Sequence, residues 1–265
     1  RLHLSGLEGF EHITGEEIVR KFRSQLQYLD FARIRDMAAK LEARPGEKGE
    51  VFVVTTEKGN TFSARAVILA TGAEPRRLAV PDEELMVGRG LSYSAVSHAP
   101  LFWEREAAVV GDGDLALRSA AELATVASRV ILVAPDKLPD SPLRKRLERQ
   151  DNVTILEHYQ VTQVHANGYV NAITVRDPHG REEKLPVTGV FGELGLVPCS
   201  DLVKDLVELN EAGYVVIDDR CRTSRPGIFA AGDVTHTFTE QVLIATGEGA
   251  KAALAAYDYL LELDG

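Results

Sequence analysis

Apolar residues recur along this chain at helical spacing in some stretches and at strand spacing in others, which predicts a mixed α/β protein. Over residues 15–28 they recur about every four positions, as they do on the buried face of a helix. Short apolar or β-branched runs at 51–55 and 66–70 are typical of strands. The first hundred residues therefore predict a helix followed by short strands.

The central part of the chain has the pattern of a β-α-β crossover. Strands are predicted at 107–110 and 130–133, and an alanine- and leucine-rich helix between them at 115–127. The length of this unit is the one expected of a dinucleotide-binding crossover. Alternating strands follow it, with Asn167-Gly168 as the turn of a hairpin.

The last part of the chain returns to α/β spacing. A strand is predicted at 214–217, and a second apolar run at 227–231 ends in a glycine and an aspartate. A long helix is predicted at 241–260. The chain thus leaves an α/β pattern, passes through a self-contained unit, and comes back to the first pattern.

This order predicts two Rossmann-like dinucleotide-binding domains, one inserted into the other, in three layers with a β-meander. We assign residues 1–100 and 213–265 to the discontinuous domain and residues 101–212 to the inserted nucleotide domain. A chain of 265 residues that is 45% hydrophobic is long enough for two such cores.

Charge and segment composition exclude several classes of protein. A formal net charge of −10 argues against a surface for nucleic acid or for anionic membranes. No apolar run approaches the ~20 residues of a membrane-spanning helix, and no signal peptide opens the sequence. We expect a cytoplasmic protein and, because the first residue is Arg1, a sequence that begins inside a longer chain.

The cysteines and histidines do not predict a metal site. Cys199 and Cys221 are too few and too far apart for a disulfide framework or a zinc site. We interpret both as small core residues. The histidines lack the spacing of metal ligands.

The clearest candidate binding segment is Gly232-Asp233, at the end of an apolar run. A glycine there lets the backbone approach a ligand closely, and a carboxylate at a strand end can accept hydrogen bonds from sugar-like hydroxyls. The helix that begins near Gln241 would direct its N-terminal amide groups to the same place. Together these features predict a cofactor site; the alternative is a simple turn with a capping aspartate.

Residues 227–233 resemble the carboxy-terminal FAD motif of thioredoxin reductases and of the related flavoprotein subunit of alkyl hydroperoxide reductase. Residues 70–73, 189–198 and 241–249 are similar to further motifs of this pyridine nucleotide-disulfide oxidoreductase family, in the same order. The resemblance implies a two-domain flavoprotein and a homodimer. It also implies FAD contacts from six residues, Thr71, Gly72, Gly232, Asp233, Gln241 and Val242.

The chain departs from this family at the redox-active C-x-x-C motif. Ser94 and Ser97 stand at the two cysteine positions, and His98 replaces the acidic proton donor that follows them. A serine hydroxyl cannot form a disulfide, so reduction of disulfides by this loop is excluded. We assign no catalytic residue here. His98 can carry protons near neutral pH, and the alternative is an ordinary loop histidine.

The nucleotide turn is also altered. Gly111, Gly113 and Ala116 fit the G-x-G-x-x-A pattern that lets a turn approach pyrophosphate and a helix pack closely on a strand. However, Asp112 and Asp114 bring two carboxylates to the place of the phosphates. We expect Asp114 to cap the helix amide groups, which would weaken nucleotide binding.

Asp136, after the second strand of the crossover, bears on the choice of nucleotide. NADPH-dependent members of the family carry basic residues in this region, whereas this chain has Ala134-Pro135-Asp136. A carboxylate can accept a hydrogen bond from the ribose 2′-hydroxyl but repels a 2′-phosphate. NADPH is therefore disfavoured, and both an NADH site and an inactive site remain open.

The family opens with a G-x-G-x-x-G unit that holds the ADP half of FAD, and nothing before Gly15 resembles it. We therefore expect descent from FAD-binding proteins and FAD as the cofactor; the alternative is that this chain does not retain FAD. We favour a thioredoxin reductase-like flavin oxidoreductase without a dithiol, which passes electrons from NADH or another donor to an unidentified small-molecule or protein acceptor. The alternatives are a ferredoxin-NAD(P) reductase of the thioredoxin reductase type and a non-catalytic flavin- or partner-binding relative.

Overall fold

The computed structural model describes residues 3–4, 13–237 and 241–265, without the side chains of residues 3–4, 13–14 and 96–97. Within these residues the helices are α1 (Gly15–Leu26), α2 (Glu83–Met86), α3 (Ala95–His98), α4 (Asp114–Ala124), α5 (Pro142–Leu147) and α6 (Val242–Asp264), with 3-10 turns at Ala99–Phe102 and Asp201–Val203. The strands are β1 (His3–Leu4), β2 (Ile13–Thr14), β3 (Ala38–Gly46), β4 (Gly49–Thr56), β5 (Thr61–Ala64), β6 (Val67–Leu69), β7 (Ala73–Pro75), β8 (Leu91–Ser92), β9 (Glu106–Val110), β10 (Arg129–Ala134), β11 (Val153–Glu157), β12 (Gln160–Asn167), β13 (Tyr169–Arg176), β14 (Glu182–Pro186), β15 (Gly189–Gly192), β16 (Leu196–Pro198) and β17 (Ile228–Ala230).

The chain divides into two compact units. The insert unit comprises mainly Pro75–Leu196, and the terminal unit comprises mainly Val19–Glu74 and Val197–Gly265. No helix among the described residues is both long enough and apolar enough to cross a membrane.

The insert unit is a three-layer α/β structure. Its central sheet is parallel, in the order β11-β10-β9-β15-β8. Helix α4 covers one face through small and apolar side chains such as Ala116, Ala120 and Leu123, which are fully buried. The antiparallel meander β12-β13-β14 covers the other face, where Ile131 and Ile173 belong to one buried cluster. The predicted Rossmann-like fold with a β-meander is confirmed.

The terminal unit contains two parallel strands, β6 and β17, which pair without interruption from Val67↔Ile228 to Leu69↔Ala230. An antiparallel sheet, β3-β4-β5, and helix α6 complete this unit. The buried ring of Phe52 packs with Leu69 and Ile228 in its core. Because parallel strands end at the same edge, the segments after β6 and β17 lie side by side.

Several predicted boundaries differ from those observed. The first helix ends at Leu26 rather than at residue 28, and the last extends to Asp264 rather than to residue 260. The strand predicted at 214–217 is reduced to isolated bridges at Val215. Turn-forming residues on both sides of this segment leave too short a stretch for a regular ladder.

The main segment of the compact insert unit runs from Pro75 to Leu196, whereas the inserted domain was predicted to span residues 101–212. The insert unit begins at Pro75 because β8 joins its parallel sheet through the pairs Val190↔Leu91 and Phe191↔Ser92. It ends at Leu196 because the chain beyond it, including the buried Val203, packs in the core of the terminal unit.

Candidate functional site

The six residues predicted to contact flavin all lie in the terminal unit, at the carboxyl ends of β6 and β17 and at the start of α6. Directly after β6, the Thr71 hydroxyl donates a hydrogen bond to the Cys199 carbonyl oxygen at 2.6 Å. The Cys199 N–H donates in turn to the Gly72 carbonyl oxygen at 2.9 Å. The loop after β6 is therefore fixed to the chain that re-enters this unit.

The loop after β17 is fixed to helix α6. Gly232 has a left-handed backbone (φ +76°), and a Cβ added to it would lie 3.3 Å from the Ala245 Cβ. Its N–H donates a hydrogen bond to Glu248 Oε2 at 2.7 Å. Sequence reasoning missed Glu248, although an acidic residue in the glycine-rich stretch T-G-E-G was a visible signal. The Glu248–Gly232 hydrogen bond therefore holds the backbone before Asp233 close to helix α6.

A cavity of about 400 Å³ opens between the loop after β17, the start of α6 and Phe22 of α1, and three of the six predicted residues, Thr71, Gly72 and Gly232, do not line it. It is lined by Phe22, Asp233, Gln241, Val242, Ala245 and Thr246. Gln241 is extended, and α6 begins at the next residue, so the N–H groups of its first turn have no carbonyl partner inside the helix. The fold thus brings the three predicted residues Asp233, Gln241 and Val242 to one concave surface with amide donors and a carboxylate.

The residues predicted to stand at the family's redox positions lie in the insert unit. Ser94 is the residue before α3, and His98 is the last residue of that helix. His98 Nδ1 lies 2.8 Å from the Ser94 carbonyl oxygen and 3.1 Å from Ser92 Oγ. A carbonyl oxygen can only accept, so Nδ1 carries the proton and Nε2 is the acceptor in the neutral ring. Ser97 belongs to the same helix, and its side chain lies outside the described residues.

Sequence reasoning also missed Glu193, which follows β15 and is only 5% exposed. Its Oε1 accepts the Ala95 N–H at 2.9 Å. Burial raises the pKa of Glu193. The signal that could have identified it is a single acidic residue inside an otherwise apolar strand ending.

The nucleotide turn has the predicted form but a different cap. A Cβ at Gly111 would collide with the Glu193 carbonyl oxygen, and Ala116 packs there with no exposed surface. Gly113, not Asp114, is the N-cap residue of α4, and Asp114 is an exposed residue in the first turn. The expectation that Asp114 caps the amide groups is therefore wrong, because the chain already enters the helix one residue earlier.

Asp136 lies two residues beyond β10, and its side chain is 81% exposed. One carboxylate oxygen, Oδ1, accepts the Lys137 N–H at 2.7 Å and lies 3.9 Å from His158 Nδ1. Arg144, a nearby cation in sequence, is bonded to the carboxylates of Glu148 and Glu157, both at 2.9 Å. This guanidinium is therefore occupied within the protein.

Comparison with known proteins identifies the family. The family model described as pyridine nucleotide-disulphide oxidoreductase matches residues 11–249. The chain belongs to this family. The resemblance inferred from the sequence motifs is thereby confirmed, and so is its α/β fold of the thioredoxin reductase type.

Members of the pyridine nucleotide-disulphide oxidoreductase family and related structures cover nearly the whole chain. A subunit of the alkyl hydroperoxide reductase of Staphylococcus aureus (strain MRSA252) is 36% identical over 264 residues, which are 97% of this chain and 51% of that protein. NADH dehydrogenase of Bacillus subtilis (strain 168) is 37% identical over 81% of this chain and 43% of its own length. The crystal structure of thioredoxin reductase from Streptococcus pyogenes MGAS5005 is 32% identical, covers 98% of this chain and 85% of its own, and has a TM-score of 0.83. The chain thus spans about half the length of the curated relatives it matches.

Proposed function

We propose that this chain is part of a flavin-dependent oxidoreductase that takes electrons from NADH and passes them through FAD to an acceptor other than a disulfide of its own. The observation that supports this most directly is the cavity at the start of α6, where Asp233, Gln241 and Val242 come together. When bound, FAD would supply the ability to accept a hydride and release electrons singly or in pairs.

The residues around this cavity fit a flavin. The Asp233 carboxylate would accept hydrogen bonds from the ribityl hydroxyls, and the left-handed Gly232 keeps the backbone close to the ligand. The N–H groups of the first residues of α6, which have no acceptor inside the helix, would face the polar edge of the ring system, where the positive end of the helix favours negative charge. Glu248 holds this loop in place.

The insert unit supports the use of NADH. Gly113 has open space around it, so its backbone can approach a pyrophosphate. Asp136 is exposed and able to accept a hydrogen bond from a ribose hydroxyl, whereas Arg144 is held by two carboxylates. These features count against a 2′-phosphate and hence against a ferredoxin-NADP reductase.

Neither cysteine supports dithiol chemistry. Cys199 and Cys221 are separated by 21 residues, and Cys221 is fully buried. Burial raises the pKa of both thiols, and the carboxylates of Glu74 and Asp201 act in the same direction on Cys199. A thiol with a raised pKa is a poor nucleophile at neutral pH. His98, with Nε2 as acceptor, is the group that would move protons at the altered redox position.

A non-catalytic flavin- or partner-binding protein is the second candidate. It is favoured by Asp112 and Asp114, whose carboxylates flank Gly113 at the place of the pyrophosphate. This candidate predicts bound flavin that pyridine nucleotides do not reduce.

An anaerobic titration of the purified full-length protein tests the proposal. We expect a flavin absorption spectrum that NADH bleaches and NADPH bleaches far less. Asp233→Ala should lose the flavin, whereas the control Asp205→Ala, an exposed carboxylate outside the cavity, should keep it. A colourless protein refutes the flavin site, and flavin that neither nucleotide reduces supports the second candidate.

We also expect a cytoplasmic homodimer. Leu254, Tyr257 and Leu261 of α6 are 67%, 60% and 53% exposed, which gives an apolar surface that a second copy can cover. Size-exclusion chromatography with light scattering measures the mass. A monomer at micromolar concentration contradicts this expectation.

A further inference from the structure

A second cavity, of about 470 Å³, lies in the insert unit and has no part in the proposed chemistry. It opens between helix α2 and the meander β12-β13-β14. The polar residues that line it are Asp82, Arg89, Gln163, His165, Asn171 and Lys184. Concave sites of roughly 300 Å³ and more hold small organic molecules, so the lining chemistry decides which molecule fits.

The cavity is separate from the nucleotide turn. Arg89 precedes strand β8, whereas Ser94 and the nucleotide turn follow strands β8 and β9. Because these strands run parallel in one sheet, their amino and carboxyl ends lie at opposite edges. Arg89 therefore lies at the edge away from the nucleotide turn, and no residue of that turn lines the cavity.

Two cations in the lining have no carboxylate partner. Among the residues that the structure describes, no carboxylate oxygen lies within 4 Å of the Arg89 guanidinium or the Lys184 ammonium. Asp82 is the acid among the described lining residues, so these two cations outnumber it. The protein as a whole has a formal net charge of −10, which makes this local positive excess exceptional and favourable for an anion.

Both cations are attached to ordered parts of the insert unit. The Arg89 N–H donates to the Met86 carbonyl oxygen, and the Arg89 carbonyl oxygen accepts the Val170 N–H, both at 2.9 Å. Lys184 pairs with Thr174 in the β13-β14 ladder. Val170 and Thr174 are roughly 13 Å apart along β13, so the two long side chains approach the same cavity from its two ends.

Neutral polar groups line the same cavity. Gln163 and Asn171 supply amide N–H donors. The His165 ring is fixed by Thr174, with Nε2 2.7 Å from the Thr174 hydroxyl oxygen, and its Nδ1 makes no hydrogen bond with any described residue. A phosphate or carboxylate group has several acceptor oxygens, which these donors and the two cations would satisfy.

The remaining lining is apolar. Met86 and Val164 are buried, with exposures of 5% and 4%, whereas Leu85 of α2 is 68% exposed. A ligand with an apolar body would remove part of the Leu85 surface from water. The lining thus suits an organic anion better than an inorganic ion.

We propose that this cavity binds a small organic anion with two negative charges, a phosphate monoester or a dicarboxylate, held between Arg89 and Lys184. The guanidinium donates two parallel hydrogen bonds to one pair of oxygens, and the ammonium acts as a compact charge on the other side. The site does not depend on flavin or on the nucleotide, so it is independent of the proposed function.

Two-dimensional NMR of the full-length protein tests the site. The protein is titrated with phenyl phosphate, phthalate and inorganic phosphate at about pH 7.5, where a phosphate carries close to two charges, and at constant ionic strength. We expect the amide signals of residues 85–90 and 163–171 to shift. Phenyl phosphate should bind about three- to tenfold more tightly than inorganic phosphate because its ring covers Leu85, and its affinity relative to phthalate identifies the preferred head group.

A charge-matched pair of variants separates a site from general attraction. Arg89→Ala/Lys184→Ala should lower the affinity for phenyl phosphate about 10- to 100-fold, and its spectrum away from the cavity shows that it is folded. The control, Arg146→Ala/Arg149→Ala, removes the same charge from exposed positions of the insert unit outside the cavity and should bind as the parent protein does.

The proposal is wrong if none of the three anions shifts these amide signals, or if the control pair weakens binding as much as Arg89→Ala/Lys184→Ala does. Calorimetry with ADP-ribose distinguishes the cavity from the nucleotide turn. Arg89→Ala/Lys184→Ala should bind ADP-ribose as the parent protein does, and a loss of this affinity would overturn a separate site. If the parent protein does not bind ADP-ribose, NADH use is refuted, and the NMR titration still decides the anion site.

Discussion

The two glycines of the nucleotide turn should respond in opposite ways to the same substitution. A Cβ at position 111 would collide with the Glu193 carbonyl oxygen, lie 2.8 Å from the carbonyl carbon and lie 3.0 Å from the Ala116 Cβ. A Cβ at position 113 meets nothing within 4 Å, and the φ of Gly113 is −104°, which any residue adopts. Gly111 is therefore required by packing, whereas Gly113 is free to serve a ligand.

The expected magnitudes follow from these contacts. Gly111→Ala places a methyl group against the backbone of Glu193, which directly follows β15 and donates a hydrogen bond to Val110 of β9. This backbone can yield only if the ends of β9 and β15 separate. We expect a loss of about 2–4 kcal/mol in the free energy of unfolding and a fall in Tm of about 5–15 °C. Gly113→Ala should change the unfolding free energy by less than about 1 kcal/mol, because it fits the backbone and only replaces one N-cap residue by a poorer one.

Binding should reverse the order of the two variants. Gly113→Ala pushes a pyrophosphate away from the amide groups of the turn, and the loss of one charged hydrogen bond lowers the affinity for ADP-ribose about 10- to 100-fold. Thermal and urea denaturation measure the stability, and calorimetry measures the affinity of whichever variant stays folded. Two results would refute the assignment of Gly111 to packing and Gly113 to ligand binding. They are equal destabilisation of both variants and unchanged ADP-ribose affinity of a folded Gly113→Ala variant.

Three further outcomes are expected. Glu248→Ala leaves the Gly232 N–H without its acceptor, so it should destabilise the protein by about 1–3 kcal/mol and release flavin. Glu248→Gln keeps an acceptor and should restore stability and flavin binding. Equal flavin retention by the parent protein and both variants would contradict a role for the Glu248–Gly232 hydrogen bond. Asp136→Ala should weaken ADP-ribose binding about tenfold or more and reduce the preference for ADP-ribose over 2′-phospho-ADP-ribose, both measured by calorimetry. If this preference is unchanged, Asp136 does not select the nucleotide. The pKa of Glu193 is raised on folding, so the native state binds the proton more tightly and the free energy of unfolding should fall as pH rises above about 4.3, the pKa of an exposed glutamate. Urea denaturation from pH 5 to 8 should show that the unfolding free energy of Glu193→Gln depends less on pH than that of the parent protein.

Local patterns in the sequence identified the family and most of the elements. Gly111, Gly113 and Ala116 could be recognised because a tight turn and a close helix contact each admit few residue types. Asp233 and Gln241 could be recognised in the same way, as a carboxylate at a strand end and a residue just before a helix. These inferences needed only neighbours in the chain.

What the sequence alone determined is the class of fold, the serines at positions 94 and 97, and the acidic residue at 136. Only the tertiary structure decided that Glu248 holds Gly232, that β8 joins the sheet of the insert unit, and that the Glu193 carboxyl group accepts the Ala95 N–H of α3. Each of these contacts links residues that are 16 or more positions apart, and a period of two or 3.6 residues carries no information at that range. Burial decides which of the many acidic side chains meets an unpaired amide group, and burial is a property of the packed chain.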